Sequence, residues 1–158
     1  MELKDLADGE RVYLDANVFI YAFEGFPAFL PVLTALFARM DRGELSAVTS
    51  ELTLAEVLVK PLQDGNDFLR QRYEETLKSS SALAVIPVSR AVLSRAAWLR
   101  ARHETLKMPD AIHLATALAA GCNRFLTNDY CLAALPGIAV AMLSDLAVPS
   151  APNTDRPA

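Results

Sequence analysis

The chain alternates short β-prone runs with longer helical segments, and this alternation most constrains its fold. The runs that predict strands lie at 11–14, 45–49, 82–88, 124–126 and 138–143. The segments that predict helices lie at 17–23, 27–40, 50–60, 64–79, 89–103 and 110–120. Parallel strands need crossover connections, which helices usually supply. The sequence therefore predicts an α/β fold with a central, mostly parallel sheet of about five strands and helices on both faces.

Capping residues mark several of the predicted helix boundaries. Asn17, Ser50 and Ser89 each precede or open a helical segment and are suited to act as N-caps. Pro109 suits the first turn of the helix at 110–120. Gly121 then provides its stop.

Length and composition indicate one folded domain. The chain has 158 residues and is 53% hydrophobic, which is enough to fill a substantial core. We predict that residues 1–145 form this domain. Residues 146–158, rich in Pro, Ala and Ser, are predicted to be a disordered tail.

Charge and hydropathy narrow the range of functions. A net charge of -4 argues against a protein that coats duplex nucleic acid by bulk charge, although an acidic metal site in a nuclease would itself lower the charge. The amino terminus lacks the apolar centre of a signal peptide, and the most apolar stretch, 131–143, is short for a membrane span. Two cysteines do not form a disulfide framework. These features predict a cytoplasmic protein with no membrane segment.

Four carboxylates lie where a hydrophobic segment meets a turn or a helix. They are Asp15 in VYLDAN, Glu56 in LTLAEVL, Asp110 in MPDAIHLATAL and Asp129 in RFLTNDY. Asp15 and Asp129 follow strands, and in an open α/β sheet such positions share the carboxyl edge where ligands bind. Four carboxylates gathered there repel one another unless a cation intervenes. Oxygen ligands without a His or Cys cluster favour Mg²⁺ or Mn²⁺ over zinc.

Each acid also has a purely structural alternative. Asp15 and Asp129 are suited to turns and helix caps. Asp110 lies in the first turn of a helix, where the helix dipole favours any carboxylate. Glu56 is placed to pair with Lys60 four residues later. The residues alone leave these alternatives open.

His113 follows Asp110 by one helical turn on the same face. A lone histidine in such an apolar helix is more often a hydrogen-bonded core residue than a metal ligand. The sequence gives it no further role.

Three segments of the chain resemble the PIN-domain ribonucleases, and among them the VapC-type toxins of bacterial toxin–antitoxin pairs. The segments are VYLDANVFIYA, TSELTLAEVL and MPDAIHLATALAAGCNRFLTND. The order Asp, Glu, Asp, Asp agrees with that family, and DAIHLATA followed by TND is the most specific part. The resemblance covers residues 10–145 and implies a three-layer PIN-like fold.

The resemblance implies a Mg²⁺- or Mn²⁺-dependent endoribonuclease that cleaves single-stranded RNA. Asp15, Asp110 and Asp129 would bind the metal, and Glu56 would hold a water molecule or a second cation. The supporting polar residues carried over with them are Ser50, Thr127 and Asn128.

Basic residues within 89–107 are candidates for RNA contacts, with a merely solvated face as the alternative. They are Arg90, Arg95, Arg100, Arg102 and Lys107. A second basic patch is predicted at Lys60, Arg70 and Arg72.

The resemblance also implies partners. A cognate antitoxin and a second copy of the chain would cover the apolar surface of residues 19–40, giving a homodimer. The alternative function is a non-catalytic PIN-like module that binds RNA or protein. Haloacid-dehalogenase-like phosphatases are disfavoured, because they need a second aspartate where this chain has Asn17. Receiver domains are also disfavoured, because the chain lacks their acidic pair near the first strand.

Overall fold

Five parallel strands form the centre of the molecule, in a computed structural model that describes residues 1–146. The strands are β1 (Arg11–Leu14), β2 (Ser46–Ser50), β3 (Leu83–Ile86), β4 (Arg124–Thr127) and β5 (Ala139–Met142). All pairings are parallel, and the order across the sheet is β3-β2-β1-β4-β5. The predicted mostly parallel sheet of about five strands is confirmed.

Helices connect the strands. They are α1 (Ala16–Phe23), α2 (Leu30–Asp41), α3 (Glu51–Asp64), α4 (Asp67–Thr76), α5 (Arg90–Arg102), α6 (Met108–Ala119) and α7 (Leu143–Leu146). Short 3₁₀ turns lie at Leu3–Asp5 and Tyr130–Leu132. Of the tail predicted at 146–158, only Leu146 is among the described residues, and it ends α7. None of the helices within residues 1–146 has the length and apolar character needed to cross a membrane.

The predicted serine caps are present. The Ser50 hydroxyl accepts a hydrogen bond from the Leu52 amide at 3.0 Å, and the Ser89 hydroxyl accepts one from the Val92 amide at 3.2 Å. The helix predicted to end near residue 60 instead continues past Pro61 to Asp64. Gly65, at φ 63°, ends it, because glycine adopts the left-handed conformation without a Cβ clash.

The two faces of the sheet bury separate apolar clusters. Val12 and Leu14 of β1 pack on one face with residues of α1 to α4, whereas Tyr13 faces α5 and α6. This alternation follows from the two-residue period of a strand. Because β1 lies at the centre of the sheet, both of its faces are covered. The result is the predicted three-layer architecture.

The strand order reverses between β1 and β4, which pair with Leu14 opposite Leu126. Connections from β1 lead towards β3, and those from β4 lead towards β5. Such a switch point leaves a crevice at the carboxyl ends of the two strands, where ligands bind in open α/β sheets. Asp15 and Asp129 follow these two strand ends.

Candidate metal-binding site

Asp15 combines a capping role with a place in the acidic site. It is the N-cap of α1, and its Oδ1 accepts a hydrogen bond from the Ala16 amide at 2.9 Å. Its Oδ2 accepts one from the Thr127 hydroxyl at 2.8 Å. The side chain is almost fully buried, with 7% exposed. The structural and functional alternatives for Asp15 are therefore compatible.

Asn17 does not cap α1, so that prediction is wrong. It lies in the first turn of the helix, where its amide nitrogen contacts Asp15 Oδ2 at 3.3 Å and Thr127 Oγ1 at 3.1 Å. Its carbonyl oxygen accepts a hydrogen bond from the Asn128 backbone at 3.2 Å. Asn17 thus joins the ends of β1 and β4, a role that sequence reasoning missed. Its partners Thr127 and Asn128 are 110 and 111 residues away in the chain, so no local pattern identified this role.

Glu56 faces the acidic site. The structural alternative required a pair between Glu56 and Lys60, and the structure does not contain it. Its Oε2 lies 2.9 Å from His113 Nε2, whereas Lys60 Nζ lies 3.1 Å from Glu24 Oε1. One potential ligand atom each from Asp15, Glu56 and His113 fall within 4.8 Å of one another. The helix α3, which packs on the same face of the sheet as Val12 and Leu14, therefore presents Glu56 to the switch point.

His113 is buried and hydrogen-bonded, as its sequence context predicts. It is 1% exposed, and its Nδ1 lies 2.6 Å from the Tyr13 hydroxyl. Burial acts to lower the pKa of His113, but the hydrogen bond to Glu56 and the charges of Glu56, Asp15 and Asp110 outweigh it, so the pKa is raised. His113 is thus a core residue that also belongs to the acidic site.

Asp110 links all four predicted acids electrostatically. It lies half-buried in the first turn of α6. Its pKa is raised by burial and then by the carboxylates of Asp15, Asp129 and Glu56, while His113 acts in the opposite direction. The contacts agree with this direction: Asp15 and Glu56 place ligand atoms within 4.8 Å of each other, and Asp110 shares a cavity with Asp129. Thr127 connects the two groups through Asp15 and the Asp129 backbone.

Asp129 lies at the exposed rim of the site. Its Oδ1 accepts a hydrogen bond from the Cys131 amide at 2.9 Å, which caps the 3₁₀ turn at Tyr130–Leu132 as predicted. With Asp110 and Lys107 it lines a cavity of about 390 Å³. Asp110 and Asp129 thus form the solvent-facing part of the acidic cluster, and Asp15 forms the buried part.

Thr127 is the hub that fixes the two strand-end acids. Its buried hydroxyl donates to Asp15 Oδ2 and accepts from the Asn17 amide and from the Asp129 backbone at 3.0 Å. One donor and two acceptor positions are all that a hydroxyl offers, so its capacity is fully used. The Asn128 side chain instead accepts a hydrogen bond from the Ser144 amide at 3.2 Å.

Replacing Thr127 by valine is expected to lower stability by about 1–3 kcal/mol, because the variant leaves buried polar partners without the hydroxyl. Thermal unfolding at pH 7 measures the change. Thr116→Val is the matched control, since the equally buried Thr116 hydroxyl contacts only the Ile112 carbonyl of its own helix, at 2.7 Å. Equal losses in the two variants would contradict a special role for Thr127.

The residues predicted to contact RNA differ in their distance from the acidic site. Lys107 lines the cavity that contains Asp110 and Asp129. Arg95 instead lies beside Leu118 and Ala119 at the far end of α6. The remaining members are exposed on α5, and they are Arg90, Arg100 and Arg102.

Two arginines of α5 pack against an exposed aromatic ring. The guanidinium groups of Arg95 and Arg102 lie 4.7 Å and 3.8 Å from the centre of the Trp98 ring. This arrangement holds both cations at the surface of α5.

The second predicted basic patch is largely compensated by neighbouring groups. Lys60 pairs with Glu24, and Arg70 pairs with Asp67 and Glu74. The remaining member, Arg72, packs over the Phe23 ring at 4.7 Å. Such internal partners make this patch a weak candidate for RNA contacts.

The donor set fits a divalent cation. Burial raises the pKa of Asp15, although His113 and the Thr127 hydrogen bond act in the opposite direction. The pKa of Asp110 is raised as well. A bound cation would offset both the burial and the mutual repulsion of these ionised groups.

Stability without metal is expected to depend on pH through Asp110. Because its folded-state pKa is raised above the ordinary 3.8, the folded state binds the proton more tightly, and stability falls as pH rises through the raised pKa. Asp110→Asn removes this cost. In EDTA at pH 7 we expect its melting temperature to exceed that of the wild type by about 1–3 °C. The difference should vanish below about pH 4, where the wild-type carboxyl is protonated. A difference that is constant with pH would contradict this cause.

The strand order and the acids at its switch point define a three-layer α/β domain with an acidic site at the carboxyl edge of its sheet. The sequence matches the PIN domain family over residues 12–138. The chain therefore belongs to the PIN domain family, and the resemblance seen in the sequence is confirmed.

Solved structures of toxin–antitoxin proteins share the fold. A toxin–antitoxin complex from Klebsiella pneumoniae is 26% identical with a TM-score of 0.62, and the match covers 84% of this chain and 97% of that chain. VapBC2 from Rickettsia felis, bound to a DNA fragment from its promoter, is 18% identical with a TM-score of 0.66 and coverages of 84% and 98%. VapC20 from Mycobacterium tuberculosis, a toxin that cleaves the sarcin–ricin loop, is 15% identical with a TM-score of 0.59 and coverages of 72% and 86%. No curated protein matches by sequence.

Proposed function

We propose that the protein is a metal-dependent endoribonuclease that cleaves single-stranded RNA in the cytoplasm, as the toxin of a type II toxin–antitoxin system. The observation that carries the proposal is geometric: ligand atoms of Asp15, Glu56 and His113 lie within 4.8 Å of one another, and Asp110 and Asp129 line one cavity. A shared field of four carboxylates at the switch point of a PIN domain is suited to a divalent cation and a phosphate ester.

Each acid has a separate part in the proposal. Asp15, Asp110 and Asp129 would hold Mg²⁺ or Mn²⁺, and Glu56 would hold a water molecule or a second cation. The cation, when bound, activates water and stabilises the charge that develops on the phosphate. Asp15 and Asp129 follow the ends of two strands, Asp110 lies in the first turn of α6, and Glu56 lies inside α3, so the predicted ligands come from or adjoin regular elements of the fold.

Hydrogen bonds fix the orientation of the buried ligand. Thr127 and Asn17 both contact Asp15 Oδ2, and the Ala16 amide contacts Oδ1. Such partners orient a carboxylate before it binds metal, so little reorganisation is needed on binding. Lys107, on the wall of the same cavity as Asp110 and Asp129, supplies positive charge for the RNA backbone.

The nuclease proposal is tested on total RNA with the purified protein in Mg²⁺, in Mn²⁺ and in EDTA, with mapping of the cleaved ends. We expect defined ends in either metal and none in EDTA. Asp110→Asn, purified in parallel, controls for contaminating nucleases.

Calorimetric titration of Mn²⁺ into wild type and Asp15→Asn, compared with the cleavage result, separates a nuclease from a non-catalytic PIN-like module. Metal binding without cleavage would favour a non-catalytic module.

A partner surface is available for an antitoxin. A groove of about 300 Å³ lies between α1, α2 and α4, with Phe23, Leu33, Phe37 and Arg72 among its lining residues. It falls within the apolar region predicted to be covered by a partner. The similar structures from Klebsiella pneumoniae and Rickettsia felis are toxin–antitoxin assemblies. We propose that this chain also binds a cognate antitoxin and forms a homodimer.

The toxin role is tested by inducible expression in a bacterial host. Wild type is expected to arrest growth, and Asp110→Asn is expected not to. Co-expression of the product of the gene immediately upstream should restore growth and yield a complex in gel filtration. Growth arrest by both the wild type and Asp110→Asn would separate toxicity from the acidic site and contradict the proposal.

A further inference from the structure

His113 lies in the acidic site but has no part in the chemistry proposed above. It is 1% exposed, and both of its ring nitrogens have partners from other elements of the fold. Nε2 lies 2.9 Å from Glu56 Oε2 of α3, and Nδ1 lies 2.6 Å from the Tyr13 hydroxyl of β1. The imidazole therefore connects the central strand to Glu56 through the buried helix α6.

We infer that His113 is a positioning residue, which together with Tyr13 holds the Glu56 carboxylate next to Asp15 so that it can serve the metal site. This inference rests on the proposed function. It adds a histidine and a tyrosine to a site that the sequence presents as four acids.

The contacts limit the tautomers that His113 can adopt beside an ionised Glu56. An ionised Glu56 carboxylate accepts hydrogen bonds and cannot donate them, so His113 Nε2 must carry a hydrogen. The Tyr13 hydroxyl then either donates to a neutral Nδ1 or accepts from a protonated one. In both cases the hydrogen bond to Glu56 has the same direction, and the Tyr13 contact fixes the orientation of the ring.

Tyr13 is itself held in place. Its ring is fully buried and stacks on Phe125 of β4, with ring centres 4.9 Å apart. It belongs to the strand that ends at Asp15. Through His113 and Tyr13, Glu56 is therefore connected to β1, the same strand that positions Asp15.

Glu56 needs such a constraint more than Asp15 and Asp129 do. It has a longer side chain, with 31% of its side-chain surface exposed. Asp15 and Asp129, by contrast, are fixed by backbone amides at helix starts. Without His113, the Glu56 carboxylate is free to turn towards solvent. Metal binding would then have to fix this side chain, and the lost conformational entropy would lower the affinity for the metal.

Two amide variants distinguish positioning from packing. In His113→Gln the amide nitrogen is as many bonds from Cα as Nε2 is, so it can donate to Glu56. In His113→Asn the amide nitrogen matches Nδ1 and falls short. We expect the Mn²⁺ dissociation constant to stay within about 3-fold of wild type in the Gln variant and to rise at least about 10-fold in the Asn variant. Calorimetric titration of Mn²⁺ alone measures both.

Cleavage kinetics and stability complete the test. Cleavage at subsaturating Mn²⁺ should fall in the Asn variant and recover at high Mn²⁺, because the defect lies in metal binding. Thr116→Val, on the same buried helix, should leave Mn²⁺ affinity unchanged. If the Asn variant does not fold, Tyr13→Phe takes its place, since it removes only the oxygen that orients the ring.

The outcomes separate this inference from the proposed function. A wild type that neither binds Mn²⁺ nor cleaves RNA would overturn both. A wild type that does both, with unchanged Mn²⁺ affinity in His113→Asn or its Tyr13→Phe replacement, would overturn the positioning role alone. Equal loss of affinity in the Gln and Asn variants would make the imidazole itself a ligand and also overturn it.

Discussion

Replacing Asp110 by asparagine is expected to lower RNA cleavage by about 100-fold or more, the scale of losing one group that stabilises a charged transition state. Asp110 lies half-buried at the start of α6, and its pKa is raised by burial and by Asp15, Asp129 and Glu56. The amide keeps the shape of the side chain but removes a negative charge from the solvent-facing part of the site. Initial cleavage rates in saturating Mg²⁺ measure the loss.

The same substitution is expected to preserve the fold, which separates a loss of activity from a loss of structure. Removing one of four repelling carboxylates raises stability in EDTA, whereas a metal ligand is needed for stabilisation by Mn²⁺. We therefore expect Mn²⁺ to raise the melting temperature of the wild type and to have little effect on Asp110→Asn. Cleavage by Asp110→Asn at the wild-type rate would contradict its assignment to the site.

The sequence predicted the arrangement of the sheet because its signals are local. Short β-prone runs, capping serines and the glycine after α6 each depend on a few neighbouring residues. The parallel sheet then follows from the alternation, and the carboxyl edge follows from the parallel sheet. The sequence therefore predicts that Asp15 and Asp129 share this edge, and in the structure both contact Thr127.

Capping and membership of the acidic site proved to be compatible roles. In a parallel α/β sheet the helix starts open towards the carboxyl edge, so a residue that caps a helix there also faces the crevice. Asp15 and Asp129 each accept a hydrogen bond from a backbone amide and also contact Thr127. A capping role for Asp15 or Asp129 therefore does not argue against a role in the proposed site.

The hydrogen bonds within the site could not be predicted from local sequence patterns, because they join residues that are far apart in the chain. Tyr13 and His113 are 100 positions apart, and His113 and Glu56 are 57 apart. Spacing within α3 suggests a pair between Glu56 and Lys60, and it contains no information on a pair between Glu56 and His113. Side-chain pairs of this kind depend on how α3 and α6 pack around β1, which only the tertiary structure supplies. Asn17 was missed for the same reason, since its partners Thr127 and Asn128 lie on β4 and the turn that follows it.

Reversing the charge of Lys107 is expected to weaken RNA binding about 10-fold or more at low salt, because it removes a phosphate contact and adds a negative charge to the cavity that Asp129 lines. Lys107 lines their cavity, whereas Arg95 lies near Leu118 and Ala119. Asp110 and Leu118 are eight residues apart on α6, which corresponds to about 12 Å along the helix axis. Arg95→Glu is therefore the matched control, with the same change in net charge at a distant place.

Salt dependence distinguishes a direct contact from a general effect of charge. Binding to a labelled single-stranded RNA is measured over a range of salt concentrations with Asp110→Asn as the background, so that no cleavage occurs. Loss of one phosphate contact lowers the slope of log affinity against log salt by about 0.7 for single-stranded nucleic acid. We expect that change for Lys107→Glu and a smaller one for Arg95→Glu. Equal changes in the two variants would mean that RNA responds to the net charge of the chain, and the approach to the acidic site would then not run past Lys107.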